Sequence, residues 1–327
     1  MCSITVEKYS NKQWEENTSP TVTLITPVYN RRSVLKRTLN SVKQQTYKNF
    51  EYIIVNDGSK EEIDDIIYEF MNSVSFPVLY VKKENGGVHT ARNIGTKLAR
   101  GEYWINIDSD DELLLGAIET LLGIWENLQN EEKDSFFEVR ACCMDHNNQR
   151  VGEAFPERGS MTLEKWISKC RELKFDNVAM RRTYIMKENE FPEPKGIKFI
   201  PESLLWIKLQ KKYKSYYVND ILLRVHTEEI IDGVDDHLSR NKRNTIDSIK
   251  GECWRASYII NNWECYKQTY GIRGYLINIA KFCVFANVLV RKKVEWKEFI
   301  FDKNFPKMVM CFFWIPAKVI AHRYKIQ

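Results

Sequence analysis

Four carboxylates follow an apolar, strand-like stretch in the first half of the chain. Residues 103–107 are mainly aromatic and aliphatic, and residues 108–112 then read Asp-Ser-Asp-Asp-Glu. Carboxylates at the end of a buried strand can hold a divalent cation, and hard oxygen ligands favour Mg²⁺, Mn²⁺ or Ca²⁺ over Zn²⁺. The same acids can instead cap the helix that follows, because negative charge is favoured at a helix N-terminus. The preceding sequence decides between these two interpretations.

Strand-like and helix-like segments alternate in front of this acidic stretch. Runs rich in β-branched and aromatic residues predict strands at 21–27, 50–55, 77–81 and 102–107. Apolar residues at helical spacing predict helices at 31–45, 60–71 and 88–99. The alternation predicts a mainly parallel sheet flanked by helices, and such sheets bind ligands at the carboxyl ends of their strands.

The residues that follow the four predicted strands suit ligand binding better than a simple turn. They are Tyr29-Asn30, Asp57-Gly58-Ser59, residues 82–87 and Asp108-Ser109-Asp110. Because the ends of parallel strands meet at one edge of a sheet, we expect these residues to lie close together. In an extended segment Asp108 and Asp110 project to the same side, which leaves Asp111 to cap a helix.

Beyond the acidic stretch the pattern is mixed. Strands are predicted at 135–144, 150–155 and 215–224, and helices at 112–128, 162–169 and 203–212. Residues 247–327 read as a helical tail. In the first half, Asn30 and the Ser59/Glu62 pair have the types and spacing of helix caps.

The composition is that of a folded protein with a mild positive charge. Of the 327 residues, 43% are hydrophobic and 28% are charged, and the formal net charge is +5. Such a chain can bury a sizeable core and is not a disordered segment. The eight cysteines include no C-x-x-C pair, so we expect no cysteine-based zinc site.

Two apolar stretches in the tail, 276–290 and 308–320, are flanked by lysine and arginine. Both are shorter than the ~20 residues that a membrane-spanning helix needs. The pattern suits helices lying in a membrane interface, and it equally suits a helical subdomain packed on the rest of the protein. The aromatic residues lie inside apolar runs rather than on a stacking platform, so we expect no nucleic-acid partner.

The four strand ends together match a known family pattern. The matching segments are Pro27-Val28-Tyr29-Asn30, Val55-Asn56-Asp57-Gly58-Ser59, Asn85-Gly86-Gly87, Ala91-Arg92-Asn93, Gly101-Glu102-Tyr103 and Asp108-Ser109-Asp110-Asp111. In order and spacing they resemble the family 2 glycosyltransferases, inverting enzymes with the GT-A nucleotide-sugar-binding fold. The resemblance covers about residues 21–225. It is specific because the motifs all occur in the order and with the spacing that the family has.

The resemblance implies a donor site at these strand ends. The implied nucleotide-sugar-binding residues are Pro27, Tyr29, Asn30, Asp57, Gly58, Gly86, Gly87, Arg92 and Asp108. In the family, the equivalents of Pro27, Tyr29 and Asp57 hold the uracil and ribose of a uridine diphosphate sugar. Asp110 and Asp108 match the Asp-x-Asp motif that binds a divalent metal, Mn²⁺ or Mg²⁺.

The resemblance also implies residues for the acceptor side. Residues 200–206 read Ile-Pro-Glu-Ser-Leu-Leu-Trp, and Glu202 stands where the family carries an acidic motif at a helix start. A carboxylate there would take the proton of the attacking hydroxyl. His226 is a candidate third metal ligand. Neither residue need have a catalytic role. The charge of Glu202 is also favourable simply because it lies in the first turn of a helix, and His226 can be an ordinary loop residue.

The implied function is a metal-dependent inverting transfer of a sugar from a UDP-sugar to a glycan or lipid-linked acceptor, in bacterial surface polysaccharide synthesis. A nucleotidyltransferase that makes the activated sugar is an alternative. It would normally carry a glycine-rich basic loop after the first strand, and residues 27–30 contain no glycine. A non-catalytic, membrane-associated binding protein with the same fold is a third possibility.

The expected organisation has three parts. Residues 1–20 form a polar leader, residues 21–230 a GT-A catalytic domain, and residues 231–327 a helical C-terminal extension. Within the catalytic domain, 21–111 form the nucleotide-binding half and 112–230 the acceptor half. Because residues 1–19 contain no apolar signal segment, we expect a cytoplasmic protein that contacts the inner face of the cell membrane peripherally through 276–327.

Overall fold

The computed structural model describes residues 6–16, 19–128, 130–155, 158–169, 176–226, 245–294 and 313–321. The chain divides into two compact units. Unit 1 consists of Met1–Pro192 and Leu209–Glu229, and unit 2 of Glu193–Lys208 and Ile230–Gln327.

One mixed sheet forms the centre of unit 1. Its strands are β1 (Val6–Ser10), β2 (Val22–Val28), β3 (Phe50–Asn56), β4 (Val78–Lys83), β5 (Tyr103–Asn106), β6 (Glu112–Leu113), β7 (Phe136–Met144), β8 (Gly159–Met161), β9 (Asn177–Arg182) and β10 (Lys214–Arg224). The order across the sheet is β1-β4-β3-β2-β5-β9-β7-β10-β6, and β8 pairs with β10.

Helices follow most of the strands. They are α1 (Lys12–Glu16), α2 (Arg32–Lys43), α3 (Asp64–Asn72), α4 (Val88–Leu98), α5 (Ala117–Glu126), α6 (Asn130–Lys133), α7 (Leu163–Lys169), α8 (Thr183–Glu188), α9 (Ser203–Gln210), α10 (Ile246–Asn261) and α11 (Trp263–Arg291). Residues 313–321 are also helical.

The four strands of the nucleotide-binding half are parallel, as predicted. β2 pairs with β3 on one side and with β5 on the other, and β4 adds to the outer edge of β3. Val28 at the end of β2 lies opposite Asn56 at the end of β3, so these strands end at the same level. Every residue of β2 and β3 is buried, which explains why their sequences are nearly continuous β-branched and apolar runs.

Helices cover both faces of this parallel region, which confirms the predicted fold class. Leu24 of β2 belongs to a core shared with Leu35 of α2, Ile67 of α3 and Ile118 of α5. On the opposite face α4 packs directly on β2. An added Cβ at Gly95 would lie 2.6 Å from the Ile25 side chain, so only glycine permits this approach.

Other strands of unit 1 differ from the sequence prediction. β9 lies antiparallel between β5 and β7, and it was not predicted because its short sequence ends in two arginines. The predicted strand at 150–155 forms only one bridge, between Met144 and Arg150. The predicted polar leader contains β1, which pairs with β4. β1 lacks an apolar alternation because it is an edge strand with four of its five residues exposed.

The predicted helix caps do not form. The Asn30 side chain accepts a hydrogen bond from the Lys60 amide (2.8 Å), and the Asn30 amide donates to Ser59 Oγ (3.1 Å). These polar residues therefore join two loops, while α2 and α3 begin later, at Arg32 and Asp64. Asp111 is followed by β6 rather than by a helix, because β6 pairs with β10 and α5 begins only at Ala117.

Unit 2 has its own apolar core. Ile200 and Leu204 pack there with Ile259 of α10 and Phe282 of α11. The Tyr266 hydroxyl of α11 also donates to the Leu204 carbonyl (2.9 Å). Residues 193–208, which the sequence analysis placed in the catalytic domain, therefore pack with the predicted C-terminal extension.

One described helix, α11, is long and apolar enough to cross a membrane by length and composition. No such helix was predicted, because the apolar stretch 276–290 by itself is too short to span a membrane, whereas α11 begins at Trp263. Half of the apolar window of α11 is buried within the protein, and Gly271 interrupts the helical geometry with a φ of 61°.

A buried charge network joins three neighbouring strands of unit 1. Glu138 of β7 accepts hydrogen bonds from Arg140 (2.7 Å), from Arg181 of β9 (3.0 Å) and from the Ser215 hydroxyl of β10 (2.7 Å). Burial by itself would raise the pKa of Glu138, but Arg140, Arg181 and the Ser215 hydroxyl together hold it below its ordinary value. The ionised form is therefore the one that the fold stabilises.

We expect Glu138→Ala to lower the free energy of unfolding of unit 1 by about 3–5 kcal/mol, because it leaves two buried guanidinium groups without a counter-charge. Denaturant unfolding at neutral pH measures the loss.

The stabilisation by Glu138 is present above the ordinary glutamate pKa of 4.5 and is lost as the pH falls through its lower folded pKa. The control Glu69→Gln breaks the exposed Lys36–Glu69 pair and should change stability by less than about 1 kcal/mol. Equal effects of the two variants would contradict this account.

Candidate functional site

The loops that follow β2, β3, β4 and β5 contact one another at one edge of the sheet. The Asp57 amide donates to the Val28 carbonyl (2.8 Å), and the Asn85 side chain donates to the Asp57 carbonyl (2.9 Å). Arg31, in the loop after β2, has its Nε atom 3.8 Å from Asp110 Oδ2, in the loop after β5. The four predicted strand ends are therefore neighbours in the folded chain.

Asp57 follows β3, and its carboxylate binds the turn before α4. Oδ1 accepts hydrogen bonds from Lys83 Nζ and from the Gly86 amide (2.9 Å). Oδ2 accepts from the Gly87 amide (2.8 Å) and from the Asn85 side chain (3.2 Å). Its expected contact with a nucleoside stays a prediction.

The glycines at this edge allow the loops to approach closely. Gly58 has a φ of +69°, and an added Cβ would lie 2.6 Å from the Asn85 amide nitrogen. An added Cβ at Gly86 would lie 2.7 Å from Thr90 Oγ1. Gly87, directly before α4, has a φ of 100°, which L side chains rarely adopt. Gly58 and Gly87 thus adopt backbone conformations that favour glycine, whereas glycine at position 86 leaves room for the Thr90 side chain.

Asp108 is half-exposed and lies against a buried arginine. Arg92 Nη2 is 2.8 Å from Asp108 Oδ1, and Arg92 Nε donates to Asn106 Oδ1 (3.1 Å). The Asn106 side chain also donates to Asp108 Oδ1 (3.1 Å). Because the Asp108 side chain is 51% exposed, one face of the carboxylate is open to a ligand.

Residues 108–111 form a turn and not the predicted extended segment, since the Asp111 amide donates to the Asp108 carbonyl (3.1 Å). Asp110 Oδ2 lies 3.8 Å from Arg31 Nε. Burial, together with nearby Asp108, raises the pKa of Asp110. Burial and the neighbouring carboxylates raise the pKa of Asp111 well above its ordinary value. Asp111 is thus part of an acidic cluster rather than a helix cap.

The other predicted donor-site residues lie at the end of β2. Pro27 is buried within the strand, and Tyr29 follows it in a partly exposed position. Asn30 adopts a left-handed backbone conformation, with a φ of 51°. Tyr29 therefore presents an aromatic side chain at the same edge as Asp57.

His226 is nearly buried, and its Nε2 atom lies 2.7 Å from Glu112 Oε1. Arg224 Nη1 is 3.9 Å from the same oxygen. The imidazole is thus already engaged by a carboxylate, and its predicted contact with a metal stays a prediction.

The carboxylates at this edge suit a metal that arrives together with a phosphate group. In the part of the chain that the structure describes, no group of three His, Cys, Asp or Glu side chains is arranged to hold a metal ion. Asp108 and Asp110 supply two carboxylates with exposed surface. Mg²⁺ is commonly held by one or two protein carboxylates, with substrate phosphates and water completing its shell. The residues present fit that kind of site.

Glu202 belongs to unit 2. It directly precedes α9, and its carbonyl accepts the Leu205 amide (2.9 Å) in the first helical turn. Its carboxylate accepts a hydrogen bond from Trp206 Nε1 (3.2 Å). The expected role of Glu202 as catalytic base stays a prediction.

Two residues that were not among the predicted site residues, Lys83 and His89, lie beside Asp57 and Arg92. His89 is in the first turn of α4 and is 1% exposed. Neither ring nitrogen has a hydrogen-bond partner among the described residues. Burial, with Lys83 and Arg92 close by, lowers the pKa of His89 to about 4. The imidazole is therefore neutral at physiological pH.

We expect His89→Leu to stabilise the protein, most clearly in acid, because it removes two unpaired buried nitrogen atoms that cost about 1–3 kcal/mol. Unfolded histidine takes up a proton below its ordinary pKa of 6.5, whereas folded His89 does so only near 4. Between these pH values the wild-type protein should therefore lose about 3 kcal/mol more stability than the variant does. Thermal unfolding across this pH range measures the difference. Exposed His146→Leu is the control, and an identical pH profile for wild type and His89→Leu would contradict the account.

Comparisons with known proteins agree with this geometry. Residues 23–150 match the family model described as glycosyl transferase family 2. The glycosyltransferase GlyA of Streptococcus pneumoniae is 41% identical over 100 residues, which cover 31% of this chain and 14% of GlyA. The putative teichuronic acid biosynthesis glycosyltransferase TuaG of Bacillus subtilis is 27% identical over 236 residues, or 69% of this chain and 84% of TuaG. The chain spans about a third of the length of two further curated relatives (35% and 36%).

A solved structure shows the same fold at low sequence identity. The crystal structure of residues 1–349 of S. aureus TarS in complex with UDP-GlcNAc aligns with a TM-score of 0.60 and 17% identity, covering 92% of this chain and 91% of that one. The sequence match and the fold agree. Residues 23–150 thus match glycosyl transferase family 2, and the chain has the GT-A fold expected from its sequence.

Proposed function

We propose that the protein is a metal-dependent inverting glycosyltransferase that moves a sugar from a nucleotide sugar, specifically a UDP-sugar, to a hydroxyl of a glycan or lipid-linked acceptor. The observation that carries this proposal is the pair of strand-end aspartates. Asp108 and Asp110 keep exposed carboxylate surface while buried arginines approach each of them from the protein side. They lie at the same edge as the Gly86-Gly87 turn, so a metal and a diphosphate can be bound together there.

The chemistry of sugar transfer requires this combination of charges. The bond between the anomeric carbon and the diphosphate oxygen breaks, and the leaving diphosphate gains negative charge. A bound Mn²⁺ or Mg²⁺ would supply positive charge to that leaving group. Arg92, fixed by Asn106 and Asp108, adds a second positive charge that needs no rearrangement during the reaction. Inversion needs an in-line attack by the acceptor hydroxyl, and we assign Glu202 the removal of its proton.

Relatives support the donor and the pathway that we propose. TarS was crystallised with UDP-GlcNAc, which supports a uridine nucleotide as the donor carrier. TuaG is named for teichuronic acid biosynthesis, which supports a role in the synthesis of bacterial surface polysaccharide. Pro27 and Tyr29 are then the residues that we propose beside the uracil ring.

We further propose that unit 2 contacts the inner face of the cell membrane, where a lipid-linked acceptor would lie. α11 exposes Ile272, Leu276 and Ile277 together with the basic residues Arg273 and Lys281. Spacings of four residues, 272 to 276, 273 to 277 and 277 to 281, place neighbouring members of this set next to each other on successive turns. Exposed apolar groups beside lysine and arginine suit the interface of an anionic bilayer.

We expect the purified protein with Mn²⁺ to release UDP from at least one UDP-sugar in a donor panel, and Asp110→Asn to abolish the release. Glu202→Gln should retain UDP affinity but lose transfer to acceptor, because it removes only the base. Asp134→Asn, which changes an exposed carboxylate paired with Arg182, is the matched control and should keep full activity. No release from any donor, with or without membrane extract, would contradict the proposal. Pyrophosphate release from UTP and a sugar 1-phosphate would instead favour a nucleotidyltransferase.

We expect the protein to sediment with vesicles of phosphatidylcholine containing phosphatidylglycerol, and less with phosphatidylcholine alone. The double variant Ile272→Glu with Ile277→Glu should lose this binding because it places carboxylates on the proposed lipid-facing side of α11. Leu115→Glu is the matched control, since Leu115 of unit 1 is 71% exposed and Ile272 is 72% exposed. Equal sedimentation of both variants and wild type would contradict the membrane proposal.

A further inference from the structure

We propose that Asn56 is a positioning residue for the donor site, and that its side-chain amide fixes the two loops that carry Tyr29 and Asp57. The amide does this by joining the Ser59 backbone to the hydroxyl group of Tyr80, a buried residue of β4. We take Tyr29 and Asp57 to lie beside the nucleoside of a uridine nucleotide, so the inference rests on the proposed function.

Asn56 is the last residue of β3, and it is buried. Its Oδ1 atom accepts a hydrogen bond from the Ser59 amide (2.8 Å), and its Nδ2 atom donates to the Tyr80 hydroxyl oxygen (3.0 Å). The Tyr80 hydroxyl in turn donates to Oδ1 of Asp64, the first residue of α3 (2.6 Å). One small side chain is therefore held at both ends by groups from different elements.

The direction of each hydrogen bond in this chain is fixed by chemistry. The Ser59 amide can only donate, so it must face an oxygen atom of Asn56. The Asp64 carboxylate, which also pairs with Lys82 (2.6 Å), takes the single hydrogen of the Tyr80 hydroxyl group. The Tyr80 oxygen then needs a donor from position 56. Asparagine meets both requirements, because its amide accepts at one end and donates at the other.

Ser59 extends the chain of hydrogen bonds to the loop after β2. Its Oγ atom accepts a hydrogen bond from the Asn30 amide (3.1 Å). Asn30 has a φ of 51°, a conformation that residues other than glycine seldom adopt. Tyr29 directly precedes Asn30, and Asp57 directly follows Asn56. Each residue that we propose at the nucleoside is therefore the sequence neighbour of a residue that this chain fixes.

Ionisable side chains from three elements surround Tyr80. They are Tyr9 of β1, Lys82 of β4, and Asp64 and Tyr68 of α3. A hydrogen bond to a carboxylate raises the pKa of Lys82 and of Tyr9, and burial raises the pKa of Tyr68 and of Tyr80. The phenol groups and Lys82 therefore keep their protons at neutral pH, and the Tyr80 hydrogen stays committed to Asp64.

Asn56→Asp tests the requirement for a donor at position 56. An ionised aspartate accepts from the Ser59 amide but has no hydrogen for the Tyr80 oxygen. A protonated aspartate carries one O–H donor and one accepting oxygen, which is the pattern of asparagine. Burial and the nearby Asp64 charge would raise the pKa of the introduced carboxyl group above its ordinary value. The chain of hydrogen bonds is therefore intact at low pH and is lost as the pH rises through that raised pKa.

We expect Asn56→Asp to bind UDP about tenfold more weakly than wild type at about pH 8 and nearly as well as wild type at about pH 5. Asn56→Leu, which neither donates nor accepts, should bind weakly at both pH values. Calorimetric titration with UDP and Mn²⁺ measures these affinities. Each value is divided by that of wild type at the same pH, so that the titration of UDP and of the other side chains cancels.

A matched control makes the same chemical change in an exposed amide of unit 1. The Asn127 side chain donates to the Gly123 carbonyl (2.7 Å), and Asn127→Asp should match wild type at both pH values. Ser59→Ala, which removes only the hydroxyl that accepts the Asn30 amide, is the mild variant for use if changes at position 56 prevent folding. It should weaken UDP binding by less than Asn56→Leu does.

Inorganic pyrophosphate with Mn²⁺ separates the positioning of the nucleoside loops from general damage to the site. It carries no nucleoside, so Asn56→Leu should keep wild-type affinity for it. Wild-type UDP affinity in Asn56→Leu, or an equal loss of UDP and pyrophosphate, would overturn the positioning role. A loss in Asn56→Asp that is the same at both pH values would overturn it as well.

Amide hydrogen exchange tests the linkage independently of the donor. We expect the Ser59 and Asn30 amides to exchange faster in Asn56→Leu than in wild type and in Asn127→Asp. In Asn56→Asp they should exchange faster than in wild type only at the higher pH. If wild type binds neither UDP nor pyrophosphate, the proposed function fails, while the exchange rates still decide whether Asn56 fixes the two loops. Unchanged exchange of both amides in Asn56→Leu would overturn that role.

Discussion

The parallel pairing of β2 with β3 and with β5 is the constraint on which the candidate site depends. It makes the carboxyl ends of distant segments meet, so that residues near 29, 57, 86 and 108 become neighbours. Parallel strands need crossover connections, and α2, α3 and α4 supply them while covering both faces of the sheet. The buried strands can then be almost wholly apolar, and the polar residues are concentrated where the strands end.

Acidic and basic side chains are paired along this edge of the sheet, and the pairs differ in their solvent exposure. Asp57 and Lys83 are both buried, and they are hydrogen-bonded to each other and to the turn before α4. Asp108 and Asp110 meet Arg92 and Arg31 only on the protein side and keep exposed surface. The exposed carboxylates of Asp108 and Asp110 give a place for a metal whose remaining ligands would come from a diphosphate.

The sequence predicts the parallel half of the sheet well because its signals are local and strong. Continuous β-branched runs such as residues 22–28 and 50–55 mark fully buried strands, and glycines or acids mark their ends. Prediction fails where the structure depends on pairing between segments that are distant in sequence. β1 is an edge strand without an apolar face, and β9 enters between strands distant in sequence. Asn30 and Ser59 join their two loops by hydrogen bonds instead of capping helices, and the pairing of Asp57 with Lys83 depends on a contact between the neighbouring strands β3 and β4.

The central claim is that the strand-end carboxylates bind a metal jointly with the diphosphate of a uridine nucleotide. Titration of the protein with Mn²⁺, followed by electron paramagnetic resonance in the absence and presence of UDP, tests it most directly. Two open carboxylates without a third protein ligand among the described residues predict weak Mn²⁺ binding alone and at least tenfold (~1.4 kcal/mol) tighter binding with UDP. Equal Mn²⁺ affinity with and without UDP, or a UDP effect that survives in Asp110→Asn, would contradict the account.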